Sequence, residues 1–159
     1  MSWAINLYNL TSLRKKMRVF VSHASTDADL ARRVSKTLRE AGFQVWDETM
    51  IIPGENWGEK LAEALEESDA MVVLLTPDSL RSPNISHEVG YALGKKDYKG
   101  RLIPVIAGPI EQLPSENIPW ILRKFPAIHL KGQEEDEEGL KKIAQALKEA
   151  PQPVLSPSQ

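Results

Sequence analysis

The chain has 159 residues, 42% of them hydrophobic, which suits one domain with a core of its own. It contains no cysteine, so a disulfide framework, a thiol nucleophile and a cysteine zinc site are excluded. A net charge of −2 without a long basic stripe argues against a broad nucleic-acid or anionic-membrane surface, and no run approaches the roughly 18 apolar residues of a membrane span.

In chain order, Met1–Lys16 is mildly apolar and closes on Arg14-Lys15-Lys16. A secretory signal carries its positive charges ahead of the apolar run, so residues 1–16 read as an N-terminal arm of a soluble, cytoplasmic protein. Short apolar runs follow at Arg18–Ser22, Phe43–Asp47, Ala70–Thr76, Leu102–Ala107 and Ala127–Leu130. The third is apolar almost throughout, as expected of a strand covered on both faces, and Val and Ile dominate the set.

Amphipathic segments separate these runs. Leu30, Ala31, Val34, Leu38 and Ala41 recur at helical spacing, Thr26 with Asp29 fits a capping box, and Gly42 stands where a helix would stop. Trp57, Leu61, Ala64, Leu65 and Ser68 mark a second helix, and Ser82-Pro83 opens a third. The stretch Gly108–Phe125 and the following Pro126 include Pro109, Pro114 and Pro119, and it reads as irregular with a short helix at Trp120–Lys124. Leu140, Ile143, Ala144 and Leu147 line a last helix, and Pro151–Gln159 reads as a disordered tail.

Strand–helix alternation predicts an α/β domain over residues 17–150 with a parallel sheet and right-handed crossovers. Five strands suggest the flavodoxin-like order 2-1-3-4-5, with helices on both faces. Ligands of such sheets bind beyond the carboxyl ends of the strands, where the strand order reverses. Here that means the loops Ser22–Asp27, Glu48–Asn56 and Pro77–Pro83.

In the helix after Ser82-Pro83, Ile85, Val89 and Ala92 form an apolar stripe, and Glu88 shares or borders it. Asn84, Ile85, Tyr91 and Ala92, its helical neighbours, include no cation. A carboxylate so placed is either a solvated rim group or a functional acid, and the spacing leaves both open.

The ordered motifs VFVSHAS (Val19–Ser25), GFQVWD (Gly42–Asp47), IIPGENW (Ile51–Trp57), Ser68-Asp69-Ala70, LLTPDS (Leu74–Ser79) and SPNISHEVGYAL (Ser82–Leu93) resemble the TIR domain family over roughly residues 17–130. The last motif is similar to bacterial members. The resemblance implies NAD+ cleavage, homotypic TIR–TIR association, or both. For bacterial relatives it implies antiviral defence or signalling, with an effector protein or second-messenger receptor as further partner.

What the family implies for residues is specific. Glu88 matches its catalytic glutamate, and NAD+ is a substrate rather than a bound cofactor. Nicotinamide leaves as a neutral ring and needs no general acid, so one carboxylate suffices to stabilise the oxocarbenium-like ribose. Ser22, His23 and Ala24 after the first strand would hydrogen-bond the nucleotide and let it approach the backbone. His23 would contact a phosphate or a ribose. Asp47 matches an acidic residue heading the second loop, or forms a turn. Trp46 reads equally as core or as ligand platform, and Trp57 as a helix staple or as a ring facing a base. Ser82 and Asn84 complete the expected binding set, although some NAD-cleaving relatives have tryptophan where this chain has Asn84.

Two other readings stay beside this one. A non-catalytic association module would use the loop Glu48–Asn56, whose Met50, Ile51 and Ile52 are three consecutive apolar residues. HEVGYALGKK also resembles the glutamate helix of nucleoside deoxyribosyltransferases. A receiver domain is excluded because Leu75-Thr76-Pro77 offers no phosphoacceptor aspartate. No Gly-rich dinucleotide fingerprint, Walker loop, HExxH or GxSxG occurs, and no metal-ligand cluster stands out.

Overall fold

The computed structural model describes residues 16–47, 54, 56–81, 90, 98, 100–108, 113, 118, 122–131 and 136–151. β1 (Arg18–Ser22) leads through a 3₁₀ turn (Ser25–Asp27) into α1 (Ala28–Glu40), then β2 (Gln44–Trp46) and α2 (Trp57–Glu67). β3 (Ala70–Leu75) is followed at once by a one-turn α3 (Pro77–Leu80). β4 (Leu102–Ala107), a 3₁₀ turn at Leu122–Lys124, β5 (Ile128–Leu130) and α4 (Glu137–Glu149) complete the described elements.

All four strand pairs are parallel, and the order is β2-β1-β3-β4-β5, the flavodoxin-like arrangement expected from the alternation. Every residue of β3 and β4 is buried, which explains their unbroken apolar sequence. Successive residues serve opposite faces. Val19, Val21, Val72, Leu74 and Val105 pack with Leu30, Val34 and Leu38 of α1 and with Ile143 and Leu147 of α4. Phe20, Met71, Val73, Leu75 and Ile106 pack with Ala64 and Leu65 of α2 and with Tyr98, Leu113, Ile118 and Leu122. Two cores therefore sandwich one sheet.

Several local expectations need correction. Thr26 does not cap α1: Asp27 occupies the cap position, makes no side-chain cap bond, and closes the 3₁₀ turn by donating its N–H to Ala24 O at 2.9 Å. The second strand is three residues rather than five, and Asn56 caps α2 by accepting from Glu59 N at 3.2 Å. Ser68 ends α2 and donates its buried hydroxyl to Ala64 O at 2.5 Å. Thr76, read as the last residue of a strand, is the cap of α3. The helix expected at Trp120–Lys124 is a 3₁₀ turn over its last three residues. Residues 1–15 of the N-terminal arm, 82–89 and 91–97 of the segment after Arg81, and 152–159 of the tail lie outside the described residues.

Gly42 stops α1 as anticipated, with φ +99° and its N–H donated to Arg39 O at 3.0 Å. A Cβ there would meet nothing within 4 Å, so a substitution would cost only backbone strain. Gly42→Ala is expected to lower unfolding free energy by about 1–2 kcal/mol, measured by urea titration, without changing the native circular dichroism spectrum. An unchanged midpoint would contradict this account of the turn.

Candidate functional site

β1 and β3 are neighbours in the sheet, yet the chain leaving β1 passes to α1 on one face while β2 lies beyond it. This is the point where strand order reverses, and the loops that leave β1 and β3 border it. The residues placed there are polar and buried: Ser22 is 0% exposed, His23 3% and Asp27 4%, with Thr76 and Ser79 equally enclosed.

Hydrogen bonds hold the two loops together. Thr76 Oγ1 donates to Asp27 Oδ2 at 2.5 Å, and Thr26 Oγ1 donates to Asp78 Oδ2 at 3.0 Å. Thr76 is itself fixed by a reciprocal cap. Ser79 N donates to Thr76 Oγ1 at 3.0 Å, and Thr76 N donates to Ser79 Oγ at 2.8 Å. Proline in the first turn of α3 gives up an N–H that has no helical partner. The Thr76 hydroxyl thus accepts from its own helix and donates to the loop that leaves β1. Sequence reasoning missed this brace. Pro77 was the available signal, since a threonine followed by proline marks a helix start.

Burial pushes the Asp27 carboxyl above its ordinary 3.8; the Thr76 hydroxyl partly offsets this, the Asp78 carboxylate adds to it, and His23 opposes it.

Ser22, His23 and Ala24 lie together on the β1 loop, all buried. His23 Nδ1 lies 2.8 Å from Ala24 O, and Nε2 is enclosed with no partner among the described residues. Trp46 is half-buried and lays one ring face on Phe20, with centroids 5.0 Å apart and planes 19° apart, so that face belongs to the core. Asp47, the next residue, is buried near α1, with Ser35 Oγ 3.5 Å from its Oδ2. Trp46 and Asp47 therefore serve opposite sides of the sheet. Trp57 is the first residue of α2, and its side chain lies outside the described residues, as do Glu88, Ser82 and Asn84 altogether. A separate groove of about 350 Å³ opens between α1 and α4, lined by Arg33, Lys36, Glu40, Glu137 and Lys141; none of these belongs to the switch-point loops. Among the described residues no helix is long and apolar enough to cross a membrane.

The fold agrees with comparison to known proteins. A family model described as TIR domain matches residues 19–150. The chain belongs to the TIR domain family.

Solved structures place this TIR domain among similar backbones. The TIR domain of a Toll-related receptor from Hydra magnipapillata superposes with TM-score 0.63 at 17% identity, covering 82% of this chain and 97% of that one. A TIR-STING receptor from C. gigas, in complex with 2',3'-cGAMP, gives 0.68 at 24% identity, covering 86% of this chain and 40% of that one. A CMP N-glycosidase from Clostridium botulinum gives 0.55 at 20% identity, with 80% and 98% covered. At these identities the likeness is one of fold. No curated protein sequence matches the chain.

Asp27 offers a check on the brace. Its carboxyl is raised above 3.8 in the fold, so its contribution to stability is fully present below that value and is lost as pH climbs through the folded value. Asp27→Asn keeps an acceptor for Thr76 and removes the titration. Melting curves should show the Asp27→Asn variant gaining on the parent as pH rises from about 4 to 7. A gap that is constant or shrinks over that range would contradict the burial argument.

Proposed function

We propose that this TIR domain hydrolyses the nicotinamide–ribose bond of NAD+, with Glu88 as the catalytic carboxylate. The observation that carries the reading is the buried polar cluster at the sheet's switch point in a chain of this family. A nucleotide placed there would meet Ser22, His23 and Ala24 at the end of β1. Glu88 falls within the matched span 19–150, in the segment that follows α3. The C. botulinum relative adds a fold-level analogy, since a similar backbone carries cleavage of an N-glycosidic bond there.

The chemistry asks little of the protein. The C1′–N bond breaks with its electron pair going to the pyridinium nitrogen, which leaves as neutral nicotinamide. Positive charge develops on the ribose, and the Glu88 carboxylate stabilises it and holds the ribose hydroxyls. Water then adds at C1′ and releases a proton, giving ADP-ribose. Attack by a nucleophile on the same adenine nucleotide would instead close a cyclic ADP-ribose. Ser82, Asn84, Asp47 and the rings of Trp46 and Trp57 are the further groups proposed to hold the nucleotide. In a bacterial cell the reaction would serve antiviral defence or signalling, through NAD+ depletion or a nucleotide signal read by an effector.

Assembly belongs to the same reading. Met50, Ile51 and Ile52 in the loop Glu48–Asn56 form an apolar triplet suited to a second TIR domain, and a pocket completed by a neighbour would be only part-built in a monomer. Association has a translational and rotational cost that high local concentration offsets.

Nicotinamide release measured over a dilution series checks both parts. Glu88→Gln should fold normally and lose more than about tenfold in rate, because the swap keeps volume and removes the charge that the cation needs. Parent specific activity should climb with protein concentration. Substantial activity in a folded Glu88→Gln variant would move the role to another residue, and a flat dilution series would place the whole pocket within one chain.

A further inference from the structure

The chain ahead of β1 enters the domain at a fixed place. Met17 is buried in the core on the α1 and α4 side, and its carbonyl accepts from Gln44 N at 3.0 Å. Arg18 N donates to Asp69 Oδ2 at 2.9 Å. Residues 1–15 are therefore tethered at the amino end of β1, the end opposite the switch point. A groove of about 190 Å³ opens beside that tether, between β2 and the last turns of α2. Val45, Trp46 and Ala64 give it apolar walls, and Arg18, Gln44 and Glu67 form its rim. Arg18 Nε donates to Gln44 Oε1 at 3.2 Å, and its Nη1 lies 3.4 Å from Glu67 Oε2. The volume falls below the roughly 300–1,000 Å³ of small-molecule pockets and suits one or two side chains. Among the described residues β2 is an edge strand paired with β1 alone, and natural sheets cover such edges.

The segment tethered beside the groove has the matching chemistry. Residues 1–16 include Trp3, Ile5, Leu7, Tyr8, Leu10 and Leu13, carry no acidic residue, and close on Arg14-Lys15-Lys16. The last two turns of α2 expose Glu63, Glu66 and Glu67, opposite in sign to that basic triplet. The larger groove between α1 and α4 suits it less, since Arg33, Lys36 and Lys141 outnumber the two carboxylates there. The tail 152–159 starts from Pro151, whose carbonyl Arg101 holds ahead of β4, and it offers only Val154 and Leu155 as large apolar side chains and no charged one. Leu13 is three residues from Lys16, a reach of at most about 10 Å, and the groove begins at Arg18. We propose that Trp3–Leu13 fold back onto the domain, with Leu10 and Leu13 entering the groove between β2 and α2 and Arg14–Lys16 lying against the carboxylates of α2. Tethering makes the contact intramolecular, so a small apolar patch suffices to hold it. The proposal is independent of the NAD+ reading, because the groove lies at the other end of the strands.

The chain has no cysteine, so one introduced at an exposed position takes a spin label uniquely. With the label on Glu63→Cys, one turn from Glu67, the backbone amide NMR signals of Trp3–Leu13 in the full chain should lose most of their intensity and regain it when the label is reduced. A label on Lys36→Cys, in the groove between α1 and α4, should broaden them much less. Leu10→Asp with Leu13→Asp, added to Glu63→Cys, should restore the arm signals. The same pair of substitutions should speed amide exchange across Gln44–Trp46 roughly tenfold while the native circular dichroism spectrum is kept. Arm signals untouched by the Glu63→Cys label, broadened equally from both positions, or insensitive to the two aspartates would overturn the proposal. Broadening of residues 152–159 in place of the arm would give the groove to the tail. Broadening that arises only between copies, when isotope-enriched parent is mixed with unenriched spin-labelled chain, would give it to a neighbour. Either result also overturns the proposal.

Discussion

Where a parallel sheet reverses its strand order, the chains leaving the two strands at the reversal go to different elements, and contacts between their loops fix how those elements sit. Here the contact is the hydrogen bond from Thr76 to the buried carboxylate of Asp27, seconded by Thr26 to Asp78. The first of these is sealed from water, where a hydrogen bond is electrostatically stronger and an unpaired partner costs more. It also links levels of structure. Thr76 follows β3 and caps α3, while Asp27 closes the turn that starts α1, so one contact ties the segment after β3 to the start of α1.

That arrangement has a cost which is informative. Burial disfavours the ionised form of Asp27, and the neighbouring Asp78 carboxylate worsens it. An apolar pair in the same space would avoid both penalties. Natural folds tend to keep unfavourable polar groups where chemistry or binding needs them, and this cluster lies at the location where doubly wound sheets hold their ligands. His23 belongs to the same cluster, with Nδ1 2.8 Å from Ala24 O.

Much of the fold could be read in the sequence because its signals were redundant. AMVVLL and LIPVIA lack any polar alternation, so their burial on both faces, and with it the parallel sheet, followed directly. The errors came where one local signal had two solutions. Thr26 looks like a helix cap, but a 3₁₀ turn intervenes and its hydroxyl turns to Asp78 instead. Thr76 continues an apolar run by sequence, yet Pro77 behind it forces a helix start. The site was less legible. Position along the chain was enough to put Ser22, His23 and Ala24 at the end of β1, whereas Asp27 and Thr76 are 49 residues apart and meet only through the topology. For Trp46, strand alternation left two faces open, and contact with Phe20 assigns one of them. Glu88, Ser82 and Asn84 rest on the sequence and the family alone.

Cleavage of the N-glycosidic bond of NAD+ is the activity proposed for this TIR domain. It is tested most directly by mass spectrometry of the small molecules left after NAD+ is incubated with the concentrated protein. The account predicts free nicotinamide together with an equal amount of ADP-ribose or a cyclic ADP-ribose isomer. NAD+ recovered intact after prolonged incubation with folded, concentrated protein would contradict it.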